Sequence, residues 1–366
     1  MRNSNLRTYI INYISNSSLK KLFFVFVLFF SVFFCFGQEN VYTWNGDENG
    51  NGSWSPSLGS LSELTDGTTS ISINSGTYTI DTNCNGLNLS ISSGAKLIVQ
   101  ENVKLELSAS LYLYYDESQG KSELINNGEI EIKGALESNG KILNNNTISV
   151  TGVISLKENS EVINNLYFTC SADINNSGEL TNNNGGIITS STGVINNNQL
   201  INNNGGNLNA PVTNSGNFEN SGTIGSITNN DGGTVSNTET GKITGTVTNN
   251  HGGSLTNSGT VSGTVTNNGT IENSGTGTLP ENISGSGNVN DIITEYETAQ
   301  VGDWNVTNTW VDKNGDGTGD IPDVSGERAV TVVLNHNVNI DDNIAFYNKG
   351  NEKINFNTTD SRLKYN

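Results

Sequence analysis

The residues best suited to chemistry lie in an acidic loop near the C-terminal end. Oxygen-bearing side chains alternate along a glycine-containing loop in the order Asp312, Asn314, Asp316, Thr318, Asp320 and Asp323. Oxygen donors at alternate positions around a sharp glycine turn converge on one point, as calcium loops require. Asp323 is shorter than the usual bidentate glutamate, and the flanks do not predict helices. A Ca²⁺ site and an acidic turn both remain open, and a shorter match that begins at Asp47 is the weaker candidate.

Catalytic patterns are absent from the most repetitive part of the sequence. A hydrolase of polysaccharides needs paired carboxylates with separated pKa values, and a lyase needs a base beside clustered carboxylates. Asp231 and His251 stand one repeat apart, in matching turns, and we expect a solvent-exposed pair. The other charged residues between 175 and 274 are scattered: Glu179, Glu219, Glu239, Lys242 and Glu272. We therefore expect no catalytic or cofactor-binding residues and no enzyme.

Aromatic residues form two kinds of cluster. Two tryptophan pairs, Trp44 with Trp54 and Trp304 with Trp310, each precede a Gly- and Asp-rich loop followed by alternating strands. They can pack as end caps or stack on sugar rings, and their position favours caps. A second cluster, expected to form an aromatic stripe on one strand face, comprises Tyr112, Tyr114 and Tyr115.

The N-terminal segment is typical of a signal peptide. Four basic residues precede or begin an apolar run from Leu22 to Phe36, with small residues placed for cleavage after Gly37. The run is shorter than the roughly 20 residues of a membrane-spanning helix. We predict a secreted chain that starts at Gln38 and has no membrane span, with a retained anchor as the alternative.

The net charge limits the possible binding partners, and the cysteine positions limit the possible disulfides. Removal of residues 1–37 takes away four basic and no acidic side chains, which lowers the net charge from −19 by four, to −23. Nucleic acid is excluded as a partner, because binding phosphates requires clustered Lys and Arg. Cys84 and Cys170 remain in the mature chain, four to five repeats apart, so we predict no disulfide between them.

Internal repeats decide the fold class. Between residues 225 and 275, three segments that begin GSITNN, GTVTNN and GTVTNN align at spacings of 20 and then 18 residues. Upstream, Asn-Asn turns followed by short apolar strands recur near Asn126, Asn145, Asn164, Asn182 and Asn202. A repeat that cannot bury its own apolar face must stack on its copies.

The repeat unit indicates a β-solenoid. Ile, Val or Leu alternates with Thr, Ser or Asn over three to five residues, and Asn and Gly separate the strands. We predict a right-handed parallel β-helix of 18–20 residues per coil, in which Asn side chains stack as amide ladders. At about 4.8 Å per coil, a dozen coils give a rod of roughly 55 Å.

The composition shifts divide the chain into four segments. We predict a signal peptide at 1–37, a Trp-containing cap at 38–67, the solenoid at 68–290, and the start of a second Trp-containing module at 291–366. The second module ends where the first enters its solenoid, so we expect it to be truncated.

The flanking segments resemble those of large extracellular, adhesin-like repeat proteins of Bacteroidetes. The likeness rests on the paired-Trp segment from Gly302 to Trp310 and on the strand pattern VTVVLNHNVNI that starts at Val330. It implies a passenger-like β-helix at the cell surface and a partner among cell-surface or matrix polysaccharides or proteins.

Three functions follow in order of preference. The first is a non-enzymatic structural or adhesion protein, a stiff spacer or adhesive face. The second is a polysaccharide-binding or polysaccharide-degrading β-helix, and an enzyme of this kind would require a carboxylate cluster in one groove. The third is an ice-binding solenoid, suggested by Thr228, Thr248 and Thr266, which recur in register.

Overall fold

The chain is an all-β solenoid. The computed structural model describes residues 41–55, 69–274, 277–280 and 282–292, and short strands at 295–298, 302–303, 310–312, 331–334, 338–340, 353–356 and 363–365. Along most of the stack each coil adds one strand to each of three sheets, here named A, B and C, whose stacked strands pair in parallel. No helix that could cross a bilayer occurs in this part of the chain. The predicted fold class is confirmed, and right-handed winding stays a prediction.

Sheet A starts at an antiparallel hairpin and continues through the stack. Its strands in spatial order are Gly52–Ser55, Val41–Gly46, Ser70–Ser75, Leu89–Ile91, Leu111–Leu113, Leu136–Ser138, Ile154–Leu156, Asp173–Asn176, Gly193–Asn196, Val212–Asn214, Ile227–Asn229, Val247–Asn249, Val265–Asn267 and Ile283–Ser284. From the third of these strands to the last there are eleven steps, roughly 53 Å at about 4.8 Å each.

Sheets B and C complete each coil. The strands of sheet B are Thr77–Ile80, Lys96–Val99, Glu123–Asn126, Lys141–Asn144, Glu161–Asn164, Glu179–Asn182, Gln199–Asn202, Asn217–Asn220, Thr234–Asn237, Ser254–Asn257, Thr270–Ser274 and Asn288–Ile292. The strands of sheet C are Cys84–Gly86, Lys104–Leu107, Glu129–Ile132, Thr147–Val150, Tyr167–Cys170, Ile187–Ser190, Asn207–Asn209, Thr223–Ile224, Lys242–Ile243 and Thr260–Val261.

Two further groups of strands lie outside these sheets. A small hairpin joins Tyr115–Asp116 to Gly120–Lys121. The C-terminal strands form a four-stranded and a three-stranded sheet: Glu295–Thr298, Trp310–Asp312, Thr331–Leu334 and Lys353–Phe356 in the first, and Gly302–Asp303, Val338–Ile340 and Leu363–Tyr365 in the second.

Alternation within each strand builds the core. In sheet B, Leu124, Ile142 and Val162 occupy the same inward position on successive coils and are completely buried. β-Branched and leucine side chains suit this position because they pack against other aliphatic side chains above and below on a pleated surface. The core is thus a column of aliphatic side chains that runs along the stack.

Coil length is less regular than the sequence indicates. Most register partners lie 18–20 residues apart, but Val212 and Ile227 are separated by 15 residues and Leu97 and Leu124 by 27. The predicted length of about 18–20 residues per coil therefore holds for most coils but not for these two. The longest coil accommodates the Tyr115–Lys121 hairpin as an insertion, since strand pairing constrains the strands and leaves the turns free to vary.

The hairpin of Val41–Gly46 and Gly52–Ser55 lies at the first edge of sheet A. Trp44 and Trp54 are directly opposite each other in it, both 7% exposed. Their rings contact Tyr78, with centroid distances of 4.8 Å and 4.9 Å. The two rings are buried against each other and against Tyr78, so they present no open face on which a sugar ring could stack.

Candidate functional site

Buried asparagine columns are the most distinctive feature of the solenoid. In sheet B the last inward residue of nine successive strands is asparagine, and each side-chain amide donates to the side-chain oxygen of the next at 2.8 Å. This sheet B ladder consists of Asn126, Asn144, Asn164, Asn182, Asn202, Asn220, Asn237, Asn257 and Asn273. The predicted amide stacking is confirmed.

A second column, the sheet A ladder, has six members linked at 2.7–2.9 Å: Asn176, Asn196, Asn214, Asn229, Asn249 and Asn267. All six are buried, with at most 1% of their surface exposed. Two corners of the coil are therefore built on continuous chains of amide hydrogen bonds.

The second proton of each amide holds the turn that follows. Asn144 Nδ2, for example, donates at 2.8 Å both to Asn164 Oδ1 and to the backbone oxygen of Tyr167 on the next coil. At these corners the backbone leaves the strand ladder, and buried carbonyl groups need another donor. The oxygen of Asn176, the first member of the sheet A ladder, has no hydrogen-bond partner, as expected where such a column begins.

The next residue in several Asn-Asn pairs forms an outer column. Asn145, Asn165, Asn183 and Asn203 each donate to the preceding coil, starting from Asn127, at 2.7–2.8 Å. The Asn-Asn turns that recur near Asn126, Asn145 and Asn164 therefore contribute to two different columns. Asn144 is the inward residue in register with Asn126 and Asn164, and Asn145 lies in the turn.

Glycine closes the turns of the motif Asn-Asn-x-Gly-Gly. In the turn that starts at Asn182, Gly185 has a φ of 81°, a backbone angle that residues with a side chain rarely adopt. A β-carbon at Gly186 would lie 2.4 Å from the Asn182 oxygen and 2.7 Å from the backbone oxygen of Asn164. Gly186 therefore allows the turn to close onto the buried amide column.

A charge cluster that the sequence interpretation missed lies on the outer face of sheet C. Lys104 Nζ is 2.6 Å from Glu131 and 3.4 Å from Glu129, while Lys133 contacts Glu106. The hydrogen bond from Lys133 holds the pKa of Glu106 below its usual value, and that to Glu131 raises the pKa of Lys104. The signal was the run of charges at alternate positions in KLEL and EIEIK.

The outer face of sheet A carries a hydroxyl row. Thr213, Thr228, Thr248 and Thr266 are in register on four successive strands, followed by Ser284. The same row holds Tyr112, Glu137, Ser155, Asn175 and Ile195 on earlier coils. Within this row, threonine therefore occurs only on these four strands.

The tyrosine cluster divides between two elements. Tyr112 and Tyr114 stack with ring centroids 6.4 Å apart, and Tyr114 is 50% exposed. Tyr115 belongs to the inserted hairpin. The predicted single stripe is therefore wrong for Tyr115.

The predicted calcium ligands lie almost wholly outside the described residues. Asp312 ends the strand Trp310–Asp312, and the remaining ligands, Asn314, Asp316, Thr318, Asp320 and Asp323, are not described, nor is Trp304. The weaker candidate, Asp47, accepts hydrogen bonds from the backbone of Asn49 and Asn51 at 2.9 Å, and the Asn51 side chain lowers the pKa of Asp47. That carboxylate stabilises a turn.

Asp231 and His251 occupy the same turn position on successive coils and are both exposed. Among the described residues they form no ion pair. Cys84 and Cys170 are free and buried in sheet C, four strands apart in that sheet, roughly 19 Å at about 4.8 Å per strand.

A shallow depression of about 470 Å³ accompanies the short coil, between Asn209 and Thr244. Its lining includes Leu208, Pro211 and Ile224, and none of the residues that line it is charged.

The chain matches no protein-family model and no curated protein. Among solved structures it is similar to the crystal structure of a TibC-catalysed hyper-glycosylated TibA55-350 fragment, with 14% identity, 81% of this chain and 97% of that chain covered, and a TM-score of 0.30. The functional argument therefore rests on the side chains of this chain itself.

Proposed function

We propose that the chain is a non-enzymatic extracellular structural or adhesion protein, in which the solenoid acts as a stiff spacer that presents its outer faces. The observation that carries this proposal is the sheet B ladder, nine buried asparagines joined without a break from Asn126 to Asn273. A continuous column of buried hydrogen bonds makes the solenoid rigid along its long axis.

The ladder also fixes how coils stack. Sliding one coil by one residue would turn its inward side chains outward, and sliding it by two would place a polar amide where an aliphatic side chain belongs. Either shift would leave buried donors and acceptors unpaired. Each coil therefore has one register on its neighbour, and bending would stretch hydrogen bonds in two separate corners.

An enzymatic role has little support in the described residues. The carboxylates of Glu106, Glu129 and Glu131 gather on an open sheet face, each close to an ammonium group, and not in a cleft. The depression near Pro211 offers no charged side chain. General acid-base chemistry on polysaccharides needs carboxyl groups with separated pKa values on either side of a bound sugar.

The extracellular location rests on the predicted signal peptide and on the strongly acidic composition. Acidic surfaces stay soluble and gather cations, which suits a surface or matrix component. The proposed partner is a cell-surface or matrix polysaccharide or protein.

Two measurements test this function. Intact producing cells treated with an external protease, and then probed with antibody to the chain, should lose the signal if the chain is displayed outside. The purified chain incubated with a panel of polysaccharides should release no new reducing or unsaturated ends. Protection from the protease in intact cells, or catalytic release of ends, would contradict the proposal.

The hydroxyl row gives a second candidate, the ordering of water against ice. Thr246 and Thr264 lie beside the row, with their hydroxyl groups 3.3 Å apart, so part of sheet A presents two parallel rows. Thermal hysteresis of the purified chain, with Thr248→Tyr as the variant that disrupts the row, tests this candidate. Absence of hysteresis in the unmodified chain would remove it.

A further inference from the structure

The outer face of sheet B has a composition that the spacer role does not explain. Each strand directs its first and third residues outward, so the face carries two rows of side chains. Over four successive strands the third position is aliphatic, and this Ile/Leu row consists of Ile98, Ile125, Leu143 and Ile163. All four are partly exposed.

At the first position of the same strands, the side-chain charge alternates between positive and negative along the stack. This charge row reads Lys96, Glu123, Lys141 and Glu161. Within the chain Lys96 contacts Glu123 at 2.8 Å, and Glu161 contacts Lys141 at 3.2 Å and Lys121 of the inserted hairpin at 3.6 Å. The row has no net charge, although the whole chain carries −19.

We propose that this face binds a second copy of the chain, with the two solenoids antiparallel and related by a two-fold axis that lies along the strands, between Glu123 and Lys141. A two-fold axis brings the same patch of both copies together. In this arrangement each row faces the same row of the second copy, and the order of the strands along the stack is reversed.

The reversed charge row is complementary to itself. Glu123 lies opposite Lys141 of the second copy, and Lys96 lies opposite Glu161 of the second copy. The aliphatic row matches too, because Ile98 meets Ile163 and Ile125 meets Leu143. One strand farther out on each side, Thr79 is in register with Ile98, and Thr181 with Ile163, so threonine would face threonine.

The alternative face-to-face dimer, with the solenoids parallel, is unfavourable. Its axis would run along the stack and reverse the strands, so the charge row of one copy would lie on the Ile/Leu row of the other. Burying charges against aliphatic groups costs free energy that no new ion pair restores. The pattern of the two rows therefore selects the antiparallel form.

The size of the patch sets the strength of association. Six strands at about 4.8 Å, each about 13 Å long, give roughly 380 Å² per copy, about half of a standard interface of about 800 Å² per partner. We expect a reversible dimer of micromolar affinity, since electrostatic complementarity favours register more than raw affinity.

Sedimentation equilibrium of the purified full chain, from low micromolar to submillimolar concentration, tests the proposal. The unmodified chain should dimerise, and Ile125→Lys should weaken the dimer at least tenfold by placing two charges near the axis. The matched control is Ser236→Lys, which adds the same charge at the same outward position of sheet B but on the strand Thr234–Asn237, beyond the overlap.

Charge reversal tests the orientation. Glu123→Lys should weaken the dimer, because it places Lys opposite Lys141 of the second copy, and Glu123→Lys combined with Lys141→Glu should restore it. Thermal melting of each variant checks that the solenoid remains folded. A chain that is monomeric at every concentration, or a dimer that is unaffected by Ile125→Lys, would overturn the proposal, and so would failure of the double reversal to restore a weakened dimer.

Discussion

The side-chain amide of Asn164 donates to the side-chain oxygen of Asn182 over 2.8 Å, and both residues are completely buried. A buried amide destabilises the fold unless its donors and acceptors are largely paired. The solenoid achieves this by repetition, because each coil supplies the partner for its neighbour.

Substitution within the sheet B ladder should destabilise the fold. Asn182→Leu leaves the amide of Asn164 and the oxygen of Asn202 without their partners, which should lower the free energy of unfolding by about 2–4 kcal/mol. Urea denaturation followed by circular dichroism measures it. Asn183→Leu, in the partly exposed outer column, is the matched control and should cost less than about 1 kcal/mol. Equal effects of the two variants would contradict a special role for the inner column.

The glycines of the turn should differ in their tolerance of alanine. Gly186→Ala places a β-carbon against two oxygens of the ladder turn and should be the more damaging change. Gly185→Ala strains only the backbone, at φ of 81°, and should cost about 1 kcal/mol. Melting temperatures of the two single variants give the comparison. If Gly185→Ala proved the more harmful, close packing at Gly186 would not be the controlling factor.

The buried thiols should resist alkylation. Burial raises the pKa of the Cys84 thiol to about 12 and also raises that of Cys170. The thiolate is the reactive form, so at pH 8 the folded chain should react with iodoacetamide far more slowly than the unfolded chain. Because the folded pKa of Cys84 lies above its unfolded value, the contribution of this thiol to stability is present below pH 9 and lost as the pH rises towards 12. Rapid labelling at pH 8 in the folded state would contradict this burial.

The tryptophan pair should stabilise the first coils. Trp44→Ala removes ring contacts with Trp54 and Tyr78, and a buried large-to-small change of this kind costs about 3–5 kcal/mol. We expect faster hydrogen exchange in the coil that contains Tyr78 and little change in coils beyond Asn202, because solenoid repeats contact mainly their neighbours. Hydrogen-exchange mass spectrometry measures both. Uniform protection along the whole stack would show that the pair does not act as a cap.

The acidic C-terminal loop should bind Ca²⁺ if its six oxygen donors converge. Calorimetric titration of the full chain should then show binding at millimolar calcium or below, and Asp316→Ala should remove it. Asp47→Ala is the control, since that carboxylate accepts hydrogen bonds from its own turn. Absence of binding at millimolar calcium would leave the acidic turn as the correct interpretation.

Much of this architecture could be predicted from the repeat. In segments such as Thr246-Val247-Thr248-Asn249 only one phase buries the apolar residue, so the inward asparagine can be assigned from the pattern. In Glu123-Leu124-Ile125-Asn126 two aliphatic residues are adjacent and either could face the core. Neither alternation nor composition decides between them.

The sequence by itself determined the parallel stack, its period and the presence of asparagine columns, because a short repeat can bury its apolar side chains only against copies of itself. Only the tertiary structure decided which asparagine lies inside where two aliphatic residues are adjacent, and that Ile98, Ile125, Leu143 and Ile163 form one outward row. Both depend on the register between coils of unequal length, so residues as far apart as Lys104 and Glu131 become neighbours although no local pattern links them.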